Sequence, residues 1–297
     1  MRFTFLGTGT SSGVPAIGCS CPVCTSADPR DNRLRTGAAL EFVDALGQYR
    51  TILIDCTPDL RQQALRAGLR RCDAVVFTHN HVDHTWGVDE LRRFNVVQQA
   101  PIEVYAEQHT MDHLRRVYKH IFEQQHNINK SFVATLIPVL IEPTPEHPAG
   151  RPLDLFGVRF TPIRLLHGRL PILGFRIERA VNAPEDDFLP LAYCTDVSAI
   201  PPESWKPLRG VRTLVLDALR KRHHPTHFTL EQAVNAAAQI DAERTFFIHI
   251  THDLGHAETS AELPEGMVLA HDGLALGTLT LPKEIAPDEP GLVDGID

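Results

Sequence analysis

At 297 residues, 43% of them hydrophobic and 22% charged, the chain has the content of one large α/β domain, or at most two, with ample length to bury a core. A formal charge of -8 argues against coating nucleic acid through a basic face, so nucleic acid is not the expected partner; a phosphate-bearing substrate stays open if the positive charge comes from metal. No stretch approaches the ~20 apolar residues of a membrane span and "MRFTFLGTG" is too short for a signal peptide, so a cytoplasmic protein with no membrane contact is expected.

In chain order, "RFTFL" (2–6) alternates weakly and runs into "GTGTSSG", a turn no helix would tolerate. "AALEFVD" (38–44) and "RTILIDC" (50–56) read as a hairpin, and "DLRQQALRAGL" has helical spacing with Asp59 as its cap. "DAVVF" is a short buried strand, "THNHVDH" (78–84) follows it at once, and "GVDELRRFNVVQQA" is helical. "IEVYA" is a strand before a helix from about 109 to 122, whose His109, His113 and His120 lack acidic neighbours and read as surface residues or residues outside the ligand set. After a proline-rich loop (142–152), "VRFTPIRLLHG" and "LGFRIE" are strands, "VNAPEDDFLP" an exposed turn, and "LAYCTD" and "VRTLVLDAL" strands ending in carboxylates. "TLEQAVNAAAQI" is a helix and "RTFFIHITH" a strand ending in histidines. Residues 1–281 are expected to form one hydrolase domain, and the acidic 282–297, with Pro287 and Pro290, a loosely ordered tail.

Repeatedly, then, a strand ends in metal-seeking side chains, the place where open α/β sheets put their chemistry. Imidazole and carboxylate suit Zn²⁺, Mn²⁺ and Fe²⁺, and four such groups in "HNHVDH" exceed what one tetrahedral ion accepts from so short a segment. Two ions are the better reading: His79 and His81 on one, completed by His167 of "LLHG", and Asp83 and His84 on the other, joined by His249 of "IHITH". Asp196 of "CTD" is placed to bridge, because a carboxylate between two cations offsets their repulsion. A water between the metals would be held as hydroxide at neutral pH, ready for in-line attack.

"THNHVDHTWG" resembles the signature of the metallo-β-lactamase superfamily, and "FLGTGTSSGVP" resembles its phosphodiesterase branch. "GVPAIGCSCPVC", with "LLHG", "CTD" and "IHITH", is similar to the PhnP-type phosphodiesterases of bacterial phosphonate breakdown, whose relatives cleave cyclic ribose phosphates. The resemblance runs from residue 3 to about 279. It implies a four-layer αβ/βα sandwich, the same two ligand sets with Asp196 between them, and zinc or manganese in the pair.

"CSCPVC" offers three soft ligands, Cys19, Cys21 and Cys24, for a structural zinc, while Cys56, Cys72 and Cys194 read as small core residues. His252 is the best fourth ligand, with His256 as its rival, and the resemblance implies His252. Family members of this type place a catalytic histidine at the position matching His227, which is cast as general acid, with His223 and His224 as rivals on sequence alone. His227 and Asp83 are therefore the expected catalytic residues. Asp55 and Asp217 are either supports for ligand histidines or plain strand-end caps. The "GTGTSSG" loop lacks the lysine and spacing of a nucleotide cradle; its glycines allow a tight path near the metals and its hydroxyls are candidates for the pocket wall.

The expected activity is hydrolysis of a small phosphodiester, cyclic or nucleotide-like, through the metal-bridging hydroxide. The same cage attacks carbonyl carbon, so a lactonase or other carbonyl hydrolase, or a quinone-cofactor biosynthesis protein sharing the N-terminal pattern, is the alternative. Relatives of this kind often pair, which makes a homodimer an expectation.

Overall fold

Most strands carry apolar side chains on both faces, so the interior of neither sheet can be left to water. In the computed structural model, which describes residues 1–129, 131–179 and 186–279, two sheets pack face to face with helices outside. The first holds β1 (Arg2–Gly7), β2 (Gly37–Val43), β3 (Tyr49–Ile54), β4 (Ala74–Val76), β5 (Ile102–Ala106) and β6 (Leu136–Leu140). The second holds β7 (Leu153–Leu155), β8 (Val158–His167), β9 (Leu170–Arg179), β10 (Leu191–Cys194), β11 (Thr213–Asp217), β12 (Arg244–Ile248) and β13 (Met267–Leu269), and β14 (Ala275–Leu276) returns to the first beside β1.

The hairpin expected from residues 38–56 is there, β2 pairing antiparallel with β3. From β3 to β6 and from β10 to β13 the strands run parallel, so their C-terminal ends share one edge of each sheet. Alternation sorts the side chains. In β9, Leu173, Phe175 and Ile177 enter the core between the sheets while Ile172 faces the helices; in β10, Leu191 and Tyr193 go inward and Ala192 and Cys194 outward. Phe5 of β1 meets Phe246 of β12 at 5.5 Å between ring centroids, so the two inner faces interdigitate. Each fully buried Phe contributes ~1.5–3 kcal/mol relative to an exposed one. Cys56, Cys72 and Cys194 are buried core residues, as expected.

The outer faces are covered by α1 (Leu60–Ala67), α2 (Val82–Thr85), α3 (Leu91–Gln98), α4 (Gln108–Val117) and α5 (Lys119–Phe122) in the first half, and by α6 (Trp205–Leu208), α7 (Leu230–Ile240) and α8 (His256–Glu262) in the second. Thr229 starts α7 with a capping box: its hydroxyl accepts from the Gln232 amide at 3.2 Å and the Gln232 side chain accepts from the Thr229 amide at 2.9 Å. Asp59, expected to cap α1, sits at the N-cap position but makes no capping bond; its carboxylate accepts from the Arg35 amide at 2.9 Å and the Arg35 guanidinium at 3.0 Å instead. A charge-assisted pair outcompetes a cap there. The helix expected from 109 to 122 breaks at Tyr118, and the strands β6, β7, β13 and β14 were not anticipated. The tail 282–297, and part of the turn "VNAPEDDFLP", lie outside the described residues.

Candidate metal centre

The loops leaving β3, β4, β8, β10, β11 and β12 carry the polar residues of the site. Three of those exits use a non-glycine residue in the left-handed region: Asp55 (φ 64°), Asp196 (φ 59°) and His249 (φ 59°). Asp and His are among the few residue types that accept this conformation, which turns the chain sharply at the strand end. Gly87, closing "HTWG", has a packing reason: a Cβ there would lie 2.0 Å from the Thr57 carbonyl oxygen.

Two neighbouring groups result. The ring nitrogens of His79, His81 and His167 form one; Asp83, His84, Asp196 and His249 form the other. In the second, His84 Nε2 lies 3.4 Å from Asp83 Oδ2 and 3.2 Å from Asp196 Oδ2, while His249 Nε2 lies 3.6 Å from Asp83 Oδ2 and 3.3 Å from Asp196 Oδ1. These are close approaches without hydrogen-bond geometry: the Nε2 atoms of His79, His84 and His249 are buried and partnerless. A tetrahedron built on ~2.1 Å metal–ligand bonds has edges of about 3.4 Å, so the donor spacing fits a divalent ion where it does not fit hydrogen bonds.

The other ring nitrogens are held from behind. His84 Nδ1 lies 2.7 Å from Asp55, whose carboxylate also accepts the Thr78 amide and hydroxyl at 2.8 Å each. His79 Nδ1 lies 3.0 Å from the Thr78 hydroxyl and His167 Nδ1 2.7 Å from the Thr226 carbonyl. Such partners fix the tautomer and aim the free nitrogen. Asp55 is thus a support for His84, one of the two roles open in the sequence. Asp217 likewise lies 3.0 Å from His227 Nδ1.

Without a cation the charges do not balance. Burial pulls His249 down, but the carboxylates of Asp196, Asp83 and Asp217 outweigh it and lift the ring to about 9; His84 is raised well above its ordinary value against the same burial by Asp196, Asp83 and Asp55. His79 is driven well below by burial and the neighbouring His84, and His167 falls to about 4, chiefly by burial. The carboxylates thus draw protons onto two histidines while the remaining imidazoles stay neutral, which is a demand for positive charge at this spot.

A cavity of about 510 Å³ opens over both groups, with His227 in its wall beside His167 and His249 (ring centroids 4.6 and 4.8 Å away). Ser11 of the glycine loop also lines it. So does His113, set aside in the sequence with His109 and His120 for want of an acidic neighbour; α4 packs close enough to bring it to the cavity, a tertiary fact that helical spacing does not contain. Of the rivals to His227, His224 has its ring 5.1 Å away, with Nδ1 3.1 Å from the Thr226 hydroxyl. His223 is exposed.

Beside the cavity, Cys19, Cys21 and Cys24 place their sulfurs 3.1, 3.5 and 3.3 Å from His252 Nδ1. The Cys24 amide donates to Cys21 Sγ at 3.4 Å and is the main reason that thiol falls to about 7, whereas burial raises Cys24 to about 11. Three sulfurs and one imidazole converging in this way suit tetrahedral zinc. His256 is elsewhere, its amide donating to Asp31 at 2.8 Å and its ring 5.8 Å from His271. Arg33, fully buried, donates to the carbonyls of Thr251 (2.8 Å) and Leu254 (2.7 Å) and to Asp31 (2.9 Å), tying the N-terminal loop to the segment that carries His252.

A profile of the β-lactamase superfamily domain matches residues 50–250. The chain belongs to that superfamily. Within it, a crystal structure described as a new diphosphatase from the PhnP family is 41% identical, aligns over 93% of this chain and 97% of its own, and superposes with a TM-score of 0.78. That places the chain in the PhnP family, on the phosphodiesterase side of the metallo-β-lactamase fold. The octanoyltransferase of Porphyromonas gingivalis is 37% identical over 276 residues, covering 92% of this PhnP-family chain but 51% of its own, so the chain spans about half the length of that relative. Coenzyme PQQ synthesis protein B of a Methylobacterium species is 26% identical over 318 residues, covering 93% of this chain and 99% of its own. The two face-to-face sheets are those expected of the superfamily, whose fold implies divalent metal. Among the described residues no helix is long and apolar enough to cross a membrane.

Proposed function

We propose that this PhnP-family chain is a dinuclear metal-dependent phosphodiesterase acting on a small phosphodiester, or on the related phosphoanhydride suggested by the diphosphatase relative. The observation that supports the reading is that two ligand groups open into one cavity with His227 in its wall, Asp196 belonging to the second group and also lying within reach of His167 of the first. His79, His81 and His167 would hold one ion, Asp83, His84 and His249 the other, and Asp196 both, with zinc or manganese as the candidates. Bound there, the ions would supply positive charge for the phosphoryl oxygens and acidify an attacking water.

The chain's own residues do the rest. Asp217 accepts a hydrogen bond from His227 Nδ1, which fixes the orientation of the ring and leaves the far nitrogen to pass a proton to the departing alkoxide. The water oxygen bonds to phosphorus as the ester oxygen leaves with that proton, and the proton lost by the water restores His227 through solvent, giving a phosphate monoester and an alcohol. Cys19, Cys21, Cys24 and His252 would hold a structural zinc, and the need to keep those sulfurs reduced makes the cytoplasm the proposed compartment.

The test is purified protein reconstituted with Zn²⁺ or Mn²⁺ and assayed on bis(p-nitrophenyl) phosphate beside a panel of lactones and thioesters. Chelator-sensitive diester cleavage supports the reading. Turnover of the carbonyl panel alone would favour an acyl hydrolase, a second reading motivated by the octanoyltransferase relative.

A further inference from the structure

The turn that carries the ligands has two faces. In α2, Asp83, His84 and Thr85 are buried, whereas Val82 is 48% exposed and Trp86, just past the helix, is 58% exposed. The Trp86 amide donates to the Val82 carbonyl at 3.0 Å and Trp86 keeps right-handed helical angles (φ -80°, ψ -1°), so the two residues are stacked one turn apart on the solvent side. A long side chain on a helix leans back toward the N-terminus, which carries the indole over Val82. Val82 in turn forms part of the cavity wall beside His81. Apolar surface therefore runs without a break from the cavity onto its rim. The backbone beneath it is fixed: the Thr85 hydroxyl donates to the His81 carbonyl at 2.9 Å, and the Thr85 carbonyl accepts from the Tyr118 hydroxyl at 2.9 Å. Surface held in this way loses little ordering entropy when a ligand covers it. The wall offers no lysine or arginine, among the described residues, to a second anionic group, whereas an open indole suits a flat ring.

We propose that Trp86, seated over Val82, is a stacking platform at the cavity mouth for a planar ring of the substrate, of the nucleobase class. The inference rests on the phosphodiesterase reading for the phosphate in the cavity and adds the kind of group attached to it. The test reads binding, with the base as the only difference between two ligands. Metal-reconstituted protein, its metal content checked by elemental analysis, is titrated by calorimetry with adenosine 5′-phosphate and with ribose 5-phosphate. In Trp86→Ala affinity for the nucleotide falls roughly tenfold, as the loss of one stacked base requires, while affinity for the sugar phosphate stays that of the parent. Trp86→Phe keeps most of the nucleotide affinity. The chain has two tryptophans, and the other, Trp205, packs against the core on the outer face of the second sheet. Adenosine 5′-phosphate therefore quenches indole emission in the parent protein and not in Trp86→Phe.

Equal changes on the two ligands, or none, overturn the proposal, as do emission indifferent to the nucleotide and a parent protein that does not bind it. A Trp86→Ala protein that binds both ligands as the parent does but sediments as a smaller species gives the indole to a contact between copies and overturns it too. If the nucleotide binds as described and no diester is cleaved, the phosphodiesterase reading fails and the platform stands. Cleaved diesters with nucleotide binding unchanged in Trp86→Ala remove the platform alone.

Discussion

His227 Nδ1 and Asp217 Oδ2 stand 3.0 Å apart, and the same carboxylate oxygen accepts the Val197 amide at 3.0 Å. The backbone bond locks the carboxylate, and the carboxylate locks the imidazole. Removing the acid by His227→Ala should leave the metal content unchanged and lower kcat by ~10²–10⁴ on alkyl diesters, with a much smaller loss on p-nitrophenyl esters, whose leaving group needs no proton. Asp217→Asn should show the same split in weaker form. Stopped assays on the paired substrates check it, and equal losses on both would show that His227 does not donate the proton.

Asp55 makes three bonds around the metal cage, to the Thr78 amide, the Thr78 hydroxyl and His84 Nδ1, while lying outside the ligand set. Asp55→Ala should weaken divalent ion binding by about 10–100-fold and lower Tm, since it releases His84 and leaves buried donors unpaired. Competition with a fluorescent chelator measures the first, calorimetric melting the second.

Cys21→Ser should take one ion of three from the protein, counted by elemental analysis, and lower Tm before it lowers kcat. A structural zinc holds folded geometry together, so its loss appears first as stability. Full metal content in the variant would remove the assignment.

The charge demand of the cage gives a pH effect of known sign. In the metal-free Cys21→Ser protein His249, raised to about 9 by Asp196, Asp83 and Asp217 against burial, still carries its proton at pH 7, and His84 shifts in the same direction. Ion uptake at pH 7 should therefore expel at least one proton, and the release should shrink as pH rises past 9, where His249 is already neutral. Apparent affinity should climb with pH below that point. Titration calorimetry in two buffers of different ionisation enthalpy reads the proton count.

Gly87→Ala tests packing with little change in chemistry. The added Cβ would fall 2.0 Å from the Thr57 carbonyl, so the backbone next to His84 must move, and a loss of several °C in Tm with weakened metal binding is expected.

The fold was legible where both faces of a strand are apolar and where residue types have only one common use. The continuous runs of β3, β4 and β12 announce buried strands, and "HNHVDH" announces metal because no structural role needs that density of imidazole. Short edge strands escaped: β6 contains Pro138, which an edge tolerates and a propensity argument penalises, and β7, β13 and β14 run to only three, three and two residues. Asp59 was misread as a cap because Arg35, far off in sequence, claims its carboxylate. The left-handed turns at Asp55, Asp196 and His249 leave no mark in a propensity, though they aim the site. His113 reaches the cavity through the docking of α4, which no local pattern encodes.

Arg33 spans more than two hundred positions of sequence with a handful of contacts, gripping the carbonyls of Thr251 and Leu254 from the opposite end of the chain. A cut in the exposed stretch around Ile17 would leave that grip whole on the longer fragment, and the short N-terminal piece would stay in place because β1 pairs with β2 and β14 and Val14 bridges to Arg33. The nicked protein should migrate as one species on a sizing column and as two on a denaturing gel.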